Sequence, residues 1–420
     1  MAYSFNPNKL SAAFAAKWPL ESPFVMNTNR TLDKNLRAGN GATMNINVPP
    51  YAEVTTGAAL TGGQLDYTSG VRALTLTQYK VGFAPTQMQR SLDIVDMAEE
   101  VVKPYAQSLA ATIEEIALKD SMCAANQAAV VNVVSGGARV AGVADVQKLR
   151  AAVNVIRANR SLGSRFGQIN PLMLDSVTDV KERFLPSDIA RSMWADAEIG
   201  AMGGAKWLAN SNCAPHVAGT LENESDSVRA YAVSTAANEG DTSLVIAVTG
   251  SSSLTASETI KKGDVFTVAG CKTVDIYGKA GNALKAFIVT EDHEVTAAEA
   301  TASAFTVKVA PMYTISGSKA LCNVSALPAA NAVVTKVLAA SKSYSTGLVY
   351  DKDSVFVGQA KLLEMAGTEG WAEAQAPNGL IVRYTEGPDI KAGETVGRWD
   401  TLIGWTTARS QWSTALYLEL

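Results

Sequence analysis

The stretch from Asp93 to Asn126 constrains this chain more than any other. From Val102 onward the apolar residues fall at Val102, Tyr105, Leu109, Ile113 and Ile116, steps of three and four that draw one stripe along a helix. Lys103, Gln107, Glu114, Glu115 and Lys119 occupy the remaining face, where solvated charge is the expected state. Pro104 suits the first turn, because its missing N–H would have had no helical partner there. Upstream, Asp93 is placed to cap a separate helical segment, Ile94 to Val101. The main helix then covers about 22 residues and about 33 Å, a beam long enough to cross a subunit. Its apolar stripe requires a partner surface.

The segments before the beam are too sparse to close a core. Residues 1–43 mix turn-forming residues with one short amphipathic piece at Leu10 to Trp18, and read as an extended arm that packs on something else. Two alternating runs follow, Thr43 to Val48 and Ala73 to Phe83, which read as the legs of a long hairpin. Between them lie Pro49-Pro50, the glycine-bearing Thr55 to Gly63 and Asp66 to Gly70. A loop this long with so few large apolar residues is either functional or disordered, and the alternating legs favour an arm reaching toward a neighbour.

After the beam the pattern is α+β. Val130 to Val134 reads as a strand, Ala144 to Asn159 as a helix with Val146, Leu149, Val153 and Ile156 on one face, and Phe166 to Leu174 as a strand broken at Asn170-Pro171. Short helices are expected at Asp175 to Phe184 and Pro186 to Ile199. Six strands then follow at close spacing: Tyr231 to Ser234, Ser243 to Val248, Asp264 to Val268, Thr273 to Tyr277, Lys285 to Thr290 and Phe305 to Val309. Glycine-bearing turns, Ala269-Gly270 among them, separate most of these strands, which indicates a small barrel or sandwich. Its expected core is Val245, Val265, Phe266, Val268, Ile276, Phe287, Val289, Phe305 and Val307. Helical and mixed patterning resumes at Ala329 to Ala340, so this β unit is inserted into the first domain. Strands at Gly347 to Tyr350, Ser354 to Val357, Leu380 to Tyr384, Thr401 to Thr407 and Ala415 to Leu418, with a short helix at Lys361 to Met365, complete the interrupted domain. Trp399, Trp405 and Trp412 are assigned to core or subunit contacts.

Chemistry is hard to place on this chain. With only two histidines, His216 and His293, there is little material for acid–base catalysis or metal binding, and both read as surface or packing residues. Gly200 to Lys206 has the look of a phosphate loop, but Ala205 replaces the glycine before the lysine and Trp207 stands where Ser or Thr should be. No G-x-S-x-G, H-E-x-x-H or calcium-loop pattern occurs. No residue is assigned a catalytic, cofactor-binding or metal-binding role, and no cofactor is expected. A net charge of −4 without a basic patch argues against gripping nucleic acid through the overall field. Cys123, Cys213, Cys271 and Cys322 lie far apart and read as reduced thiols. Neither a signal peptide nor a membrane span is inferred.

Three segments carry a family resemblance. Asn170-Pro171, with Ala205 to Trp207 and Cys213 to Pro215 downstream, is one; Ile260 to Gly270 is the second; Ser345 to Tyr350, Ile381 to Ile390 and Gly397 to Gly404 are the third. In order and spacing they resemble the major capsid proteins of tailed bacteriophages, of the HK97-type fold, and most closely the coat proteins of P22-like podoviruses. The resemblance implies an α+β chain with an N-terminal arm at 1–43, an extended β-hairpin loop at 44–90, a spine helix region at 91–127, and a peripheral and axial domain in two parts, 128–221 and 319–420. An inserted β-barrel would occupy 222–318. It implies a virion protein, not an enzyme, that self-assembles in hexamers and pentamers into an icosahedral capsid through a procapsid in the host cytoplasm. Its partners would be its own copies, a scaffolding protein, a portal protein and packaged DNA touched without sequence specificity; no membrane is involved. The scaffold is expected to be a separate chain, because a fused scaffold would add a helical segment of roughly a hundred residues before the arm. In this family the inserted domain aids folding and contacts neighbouring capsomers through a charged two-fold loop, whereas Ala236 to Asp241 offers only Glu239 and Asp241. The competing readings are a secreted or surface-layer β-rich structural protein, suggested by the Thr- and Ser-rich stretch 232–257, and a hydrolase resting on Gly200 to Lys206.

Overall fold

The beam is present as helix Lys103–Cys123 in the computed structural model, which describes residues 7–17, 22–31, 42–51, 56–58, 69–84, 102–161, 163–173, 200–222, 229–250, 253–363, 370–375, 380–389 and 394–420. The expected lead-in helix at Ile94 to Val101 and the short helices at Asp175 to Phe184 and Pro186 to Ile199 lie outside the described residues. The buried face of the beam is Val102, Ala106, Leu109, Ala110, Ile113, Ala117 and Leu118. Tyr105 and Ile116, read as part of the stripe, are only half-buried. The alanines that the apolar pattern passes over make the face instead, because a small side chain lets a neighbouring element approach the helix closely.

The chain forms two compact units. One comprises Met1–Ile46, Ala73–Ala117 and Phe356–Thr406. A five-stranded sheet organises it, in the order Val355–Ala360, Glu394–Thr407, Ile381–Asp389, Gly370–Gln375, with Thr77–Phe83 also paired to Glu394–Thr407 from Gly397↔Phe83 to Ile403↔Thr77. The second leg of the hairpin is therefore two strands, a correction to the single run read from 73 to 83. Gly70–Thr75 pairs with Thr43–Val48, the Leu76 N–H bonds Ala42 O at 2.7 Å, and the chain then joins the larger sheet. Trp399 is fully buried at the centre, with Phe14, Phe83 and Tyr384 each 5.2 Å away by ring centroid. Phe14 comes from helix Pro7–Lys17, so the N-terminal segment packs this helix against its own subunit's sheet. Lys361 to Leu363 are not helical, contrary to expectation, and 364–369 lie outside the described residues.

The other unit comprises Asn47–Arg72, Leu118–Val355 and Thr407–Leu420. Its seven-stranded sheet runs Gln127–Val130, Ser413–Glu419, Ser343–Asp351, Arg165–Ile169, Ala205–Ala209, Gly200–Met202, with His216–Val217 also paired to Ser343–Asp351. Helix Val146–Ala158 starts where the Asp145 side chain accepts the Gln147 N–H at 2.8 Å, and buries Leu149, Ala152, Val153 and Ile156. These residues form one core with Ile169, Trp207, Val349, Trp412 and Leu416. The strand expected at Val130 to Val134 is split into Gln127–Val130 and Asn132–Ser135, and the second half turns back at Gly136-Gly137 to pair with Ala138–Ala144. Both glycines have positive φ, 61° and 84°, as a two-residue hairpin turn requires.

Six strands form the inserted sheet, in the order Ala280–Ile288, Val265–Val274, Val333–Lys336, Ala230–Val233, Ser243–Thr249, Ala304–Lys308. Beyond its two edge strands, Val289 and Val309 make an isolated bridge and the Thr290 N–H bonds Lys308 O at 2.9 Å, so the edges meet at one end. Four expectations are corrected here. Ala269-Gly270 is not a turn: Val265–Val274 is continuous, and Gly270, at φ 85°, lies where its register against the neighbouring strand shifts. Val245 is half-buried while Leu244 and Ile246 point into the core, a one-residue slip in the facing of an all-apolar run where alternation carries no signal. Ile276 belongs to the core of the seven-stranded sheet. The helical pattern read at Ala329 to Ala340 is strand Val333–Lys336, which sits inside the inserted sheet between Val265–Val274 and Ala230–Val233.

Candidate assembly surfaces

The residues weighed for chemistry have structural duties. Gly200 to Lys206 is a β-hairpin, Gly200–Met202 against Ala205–Ala209, with Gly203 and Gly204 in the turn at φ 64° and 90°. His216 is buried, its Nε2 2.9 Å from Asp264 Oδ1, and Asp264 also accepts the N–H groups of Gly219 at 3.1 Å and Lys261 at 2.9 Å. With Tyr417 donating its hydroxyl to Gly263 O at 2.9 Å, this cluster bonds the inserted sheet to the seven-stranded one. His293 lies 3.1 Å from Glu299, the residue that completes a capping box with Thr296 on helix Ala297–Ala302. Among the described residues no group of three or more His, Cys, Asp or Glu could hold a metal ion. All four cysteines are buried free thiols, and burial pushes the Cys123 thiol up to about 12.

Glu114 is the clearest correction to the sequence reading. It is wholly buried rather than solvated, and its carboxylate accepts the Phe24 N–H and, at 3.2 Å, the Val25 N–H of helix Pro23–Met26. These are first-turn donors with no helical partner, so the carboxylate supplies what the short helix cannot. Glu115, one residue on, is exposed as expected. Nothing in the local pattern separates the two.

The three tryptophans are packing residues. Trp399 and Trp412 are buried, Trp412 donating its indole N–H to Asn159 O at 3.0 Å, and Trp405 stacks on Tyr79 at 6.1 Å. In Ala236 to Asp241, which has too little charge for the two-fold contact that the resemblance implies, Glu239 accepts the Thr314 N–H at 3.1 Å and Asp241 accepts the Asn238 N–H at 2.7 Å, so both carboxylates are engaged within the chain.

The roots of the extended loop are well built, while 52–55 and 59–68 lie outside the described residues. At the outgoing root the Arg409 guanidinium sits 4.8 Å from the Tyr51 ring and 5.1 Å from that of Trp412, and donates to Pro49 O at 3.2 Å. Tyr51 lies 5.7 Å from Tyr277, over which Arg160 stands at 4.8 Å. At the returning root Arg72 is 5.3 Å from the Tyr313 ring, and a Cβ added to Gly70 would overlap the Leu321 side chain. Close by, the fully buried Lys285 Nζ hydrogen-bonds Asn126 Oδ1, and burial, aided by the Arg72 charge, brings its pKa down to about 7. From the sequence, Pro49 and Gly70 fall in the turn-rich stretch between the hairpin legs and Tyr277 and Lys285 in strands, and none of these residues is given a contact. Outside the roots, Leu363, Val333, Leu172 and Val134 are the most exposed large apolar side chains among the described residues.

The described residues form an α+β chain with a long beam helix, a paired loop root and a sheet whose strands fall, in sequence, between two strands of another sheet. The family model described as "P22 coat protein - gene protein 5" matches residues 78–412, and the chain belongs to the P22 coat protein family. It is a major capsid protein that forms the icosahedral shell of a phage, and it is not an enzyme. No curated protein matches it significantly. Solved structures similar in chain course include one from Mycobacterium phage Che8, at 10% identity and TM-score 0.44 over 93% of this chain and 89% of that one. The capsid of Cyanophage P-SCSP1u is similar at 11% identity and TM-score 0.43, over 93% and 86%. A virus-like particle from Pyrococcus furiosus is similar at 8% and 0.41, over 97% of each chain. Family membership rests on the family match and not on these.

Proposed function

We propose that copies of this chain assemble as hexamers and pentamers into a procapsid around a separate scaffolding protein in the host cytoplasm, with a portal protein at one vertex and packaged DNA against the inner face. The family match over 78–412 carries this reading. In it, 1–43 is the arm, 44–90 the extended loop that reaches a neighbouring copy, 91–127 the spine, and the domain around the two remaining parts is interrupted by the inserted sheet. The insertion runs from about residue 222 to about 340, since strand Val333–Lys336 is paired on both sides within that sheet. The engaged state of Glu239 and Asp241 supports inter-capsomer contacts made elsewhere than Ala236 to Asp241.

The test is expression of the chain alone and with candidate scaffolding proteins, followed by negative-stain microscopy. The chain alone is expected to give aberrant shells or soluble subunits, and uniform shells only with the scaffold. Uniform shells from the lone chain would refute the scaffold requirement.

A further inference from the structure

We propose that the inserted sheet module grips both roots of the extended loop and so sets the direction in which the loop leaves its own subunit. The two roots touch two different parts of the module. The outgoing root meets the turn between Val265–Val274 and Ala280–Ile288: Tyr51 packs on Tyr277, and that turn is held by Asp275, whose carboxylate accepts the Tyr277 and Lys279 N–H groups at 2.9 Å each. Arg409 also stands over the Tyr51 ring and ties the backbone at Pro49, so the ring has two aromatic or cationic neighbours. The returning root meets the segment that follows Ala304–Lys308. Gly70 lies against Ala320 and Leu321 so closely that no side chain fits, and Arg72 stands over Tyr313. That segment is braced by Asn323, which accepts the Tyr313 N–H at 3.0 Å and donates to Pro311 O at 2.8 Å.

The chemistry of these contacts sets them apart from ordinary packing. Arg72 and Arg409 are both partly desolvated guanidinium groups, and no carboxylate pairs with either at salt-bridge distance among the described residues; aromatic faces take that place. The Arg72 Nε is buried without a hydrogen-bond partner among the described residues. A chain held at one point can still swivel, whereas two contacts on separate segments that flank the strands of one sheet fix an angle. The consequence for assembly rests on the reading of 44–90 as the loop that reaches a neighbour.

Hydrogen exchange on the full-length free subunit tests the grip by itself. Tyr277→Ala and Tyr313→Ala remove rings that are not part of the module's core, and together should speed exchange in peptides covering 47–51 and 69–72 at least tenfold, with Ser243–Thr249 and Ala304–Lys308 unchanged. Gly70→Ala should loosen the returning root, and Leu321→Ala in the same chain should restore it. Root peptides that exchange as in the parent chain, or no rescue, would overturn the grip. Microscopy of shells made with scaffold then tests its purpose. Malformed particles should rise several-fold in the Tyr277→Ala/Tyr313→Ala variant; normal shells from subunits with loosened roots would overturn the role in setting direction, and with it the need for a directed loop.

Discussion

Glu114 and Glu115 are adjacent, identical and differently employed. Removing the first leaves two buried N–H groups without an acceptor, so Glu114→Ala is expected to cost about 2–4 kcal/mol, while Glu115→Ala should stay within about 0.5 kcal/mol. Thermal or urea melts of the two variants would show the contrast, and equal small shifts would mean that the carboxylate is not the acceptor. Lys285 gives a pH signature. Its folded pKa, about 7, lies below the 10.5 of the free side chain, so between these values the unfolded chain holds a proton that the folded chain has lost. Stability from this group therefore rises as pH goes from 7 to 10.5, by up to about 5 kcal/mol at about 1.4 kcal/mol per pKa unit, and is flat below 7. Lys285→Met removes that slope, so the stability of the variant relative to the parent should fall steadily from pH 7 to pH 10. A pH-independent difference would show that the ammonium is not desolvated.

At the scale of elements, the position of one strand decides which fragment can fold. Val333–Lys336 is interior to the inserted sheet, so a fragment of residues 222–318 lacks a central strand and exposes the inner edges of Val265–Val274 and Ala230–Val233. A fragment of 222–340 restores the full sheet and the core of Tyr231, Ile246, Phe266, Phe287, Phe305 and Val334. The longer fragment should give dispersed amide NMR signals and a sigmoidal melt, and the shorter one should not. Cooperative folding of 222–318 would mean that the central strand is dispensable. Most strands of this module were legible from alternation and glycine turns, because a half-buried strand writes a period of two into its sequence. Val333–Lys336 was not, since four residues, Val-Val-Thr-Lys, are too few to show a period and follow an alanine-rich run that resembles helix.

For the whole molecule, Asn35 to Tyr79 contains no lysine, and Lys80, the one lysine of 44–90, lies in strand Thr77–Phe83 opposite Asp400, so the stretch between the loop roots has no amine with which to form a lysine-to-asparagine bond to a neighbour. Mature shells boiled in denaturant are expected to run as single chains of 44.1 kDa, and a ladder of larger species would contradict this. The beam helix, the α+β class, the inserted strands and the family resemblance were all readable in the chain itself. Helix stripes and strand alternation are local, and a family pattern is a matter of order and spacing. Tertiary structure alone decided that Glu114 is an internal acceptor, that Val333–Lys336 completes a sheet begun a hundred residues earlier, and that Tyr51 and Arg72 lie against Tyr277 and Tyr313. Each of these is a pairing between residues far apart in sequence, and one side chain's pattern cannot encode the identity of a distant partner. It is the packing of the folded chain that selects which exposed-looking charge or aromatic ring is buried, and against what.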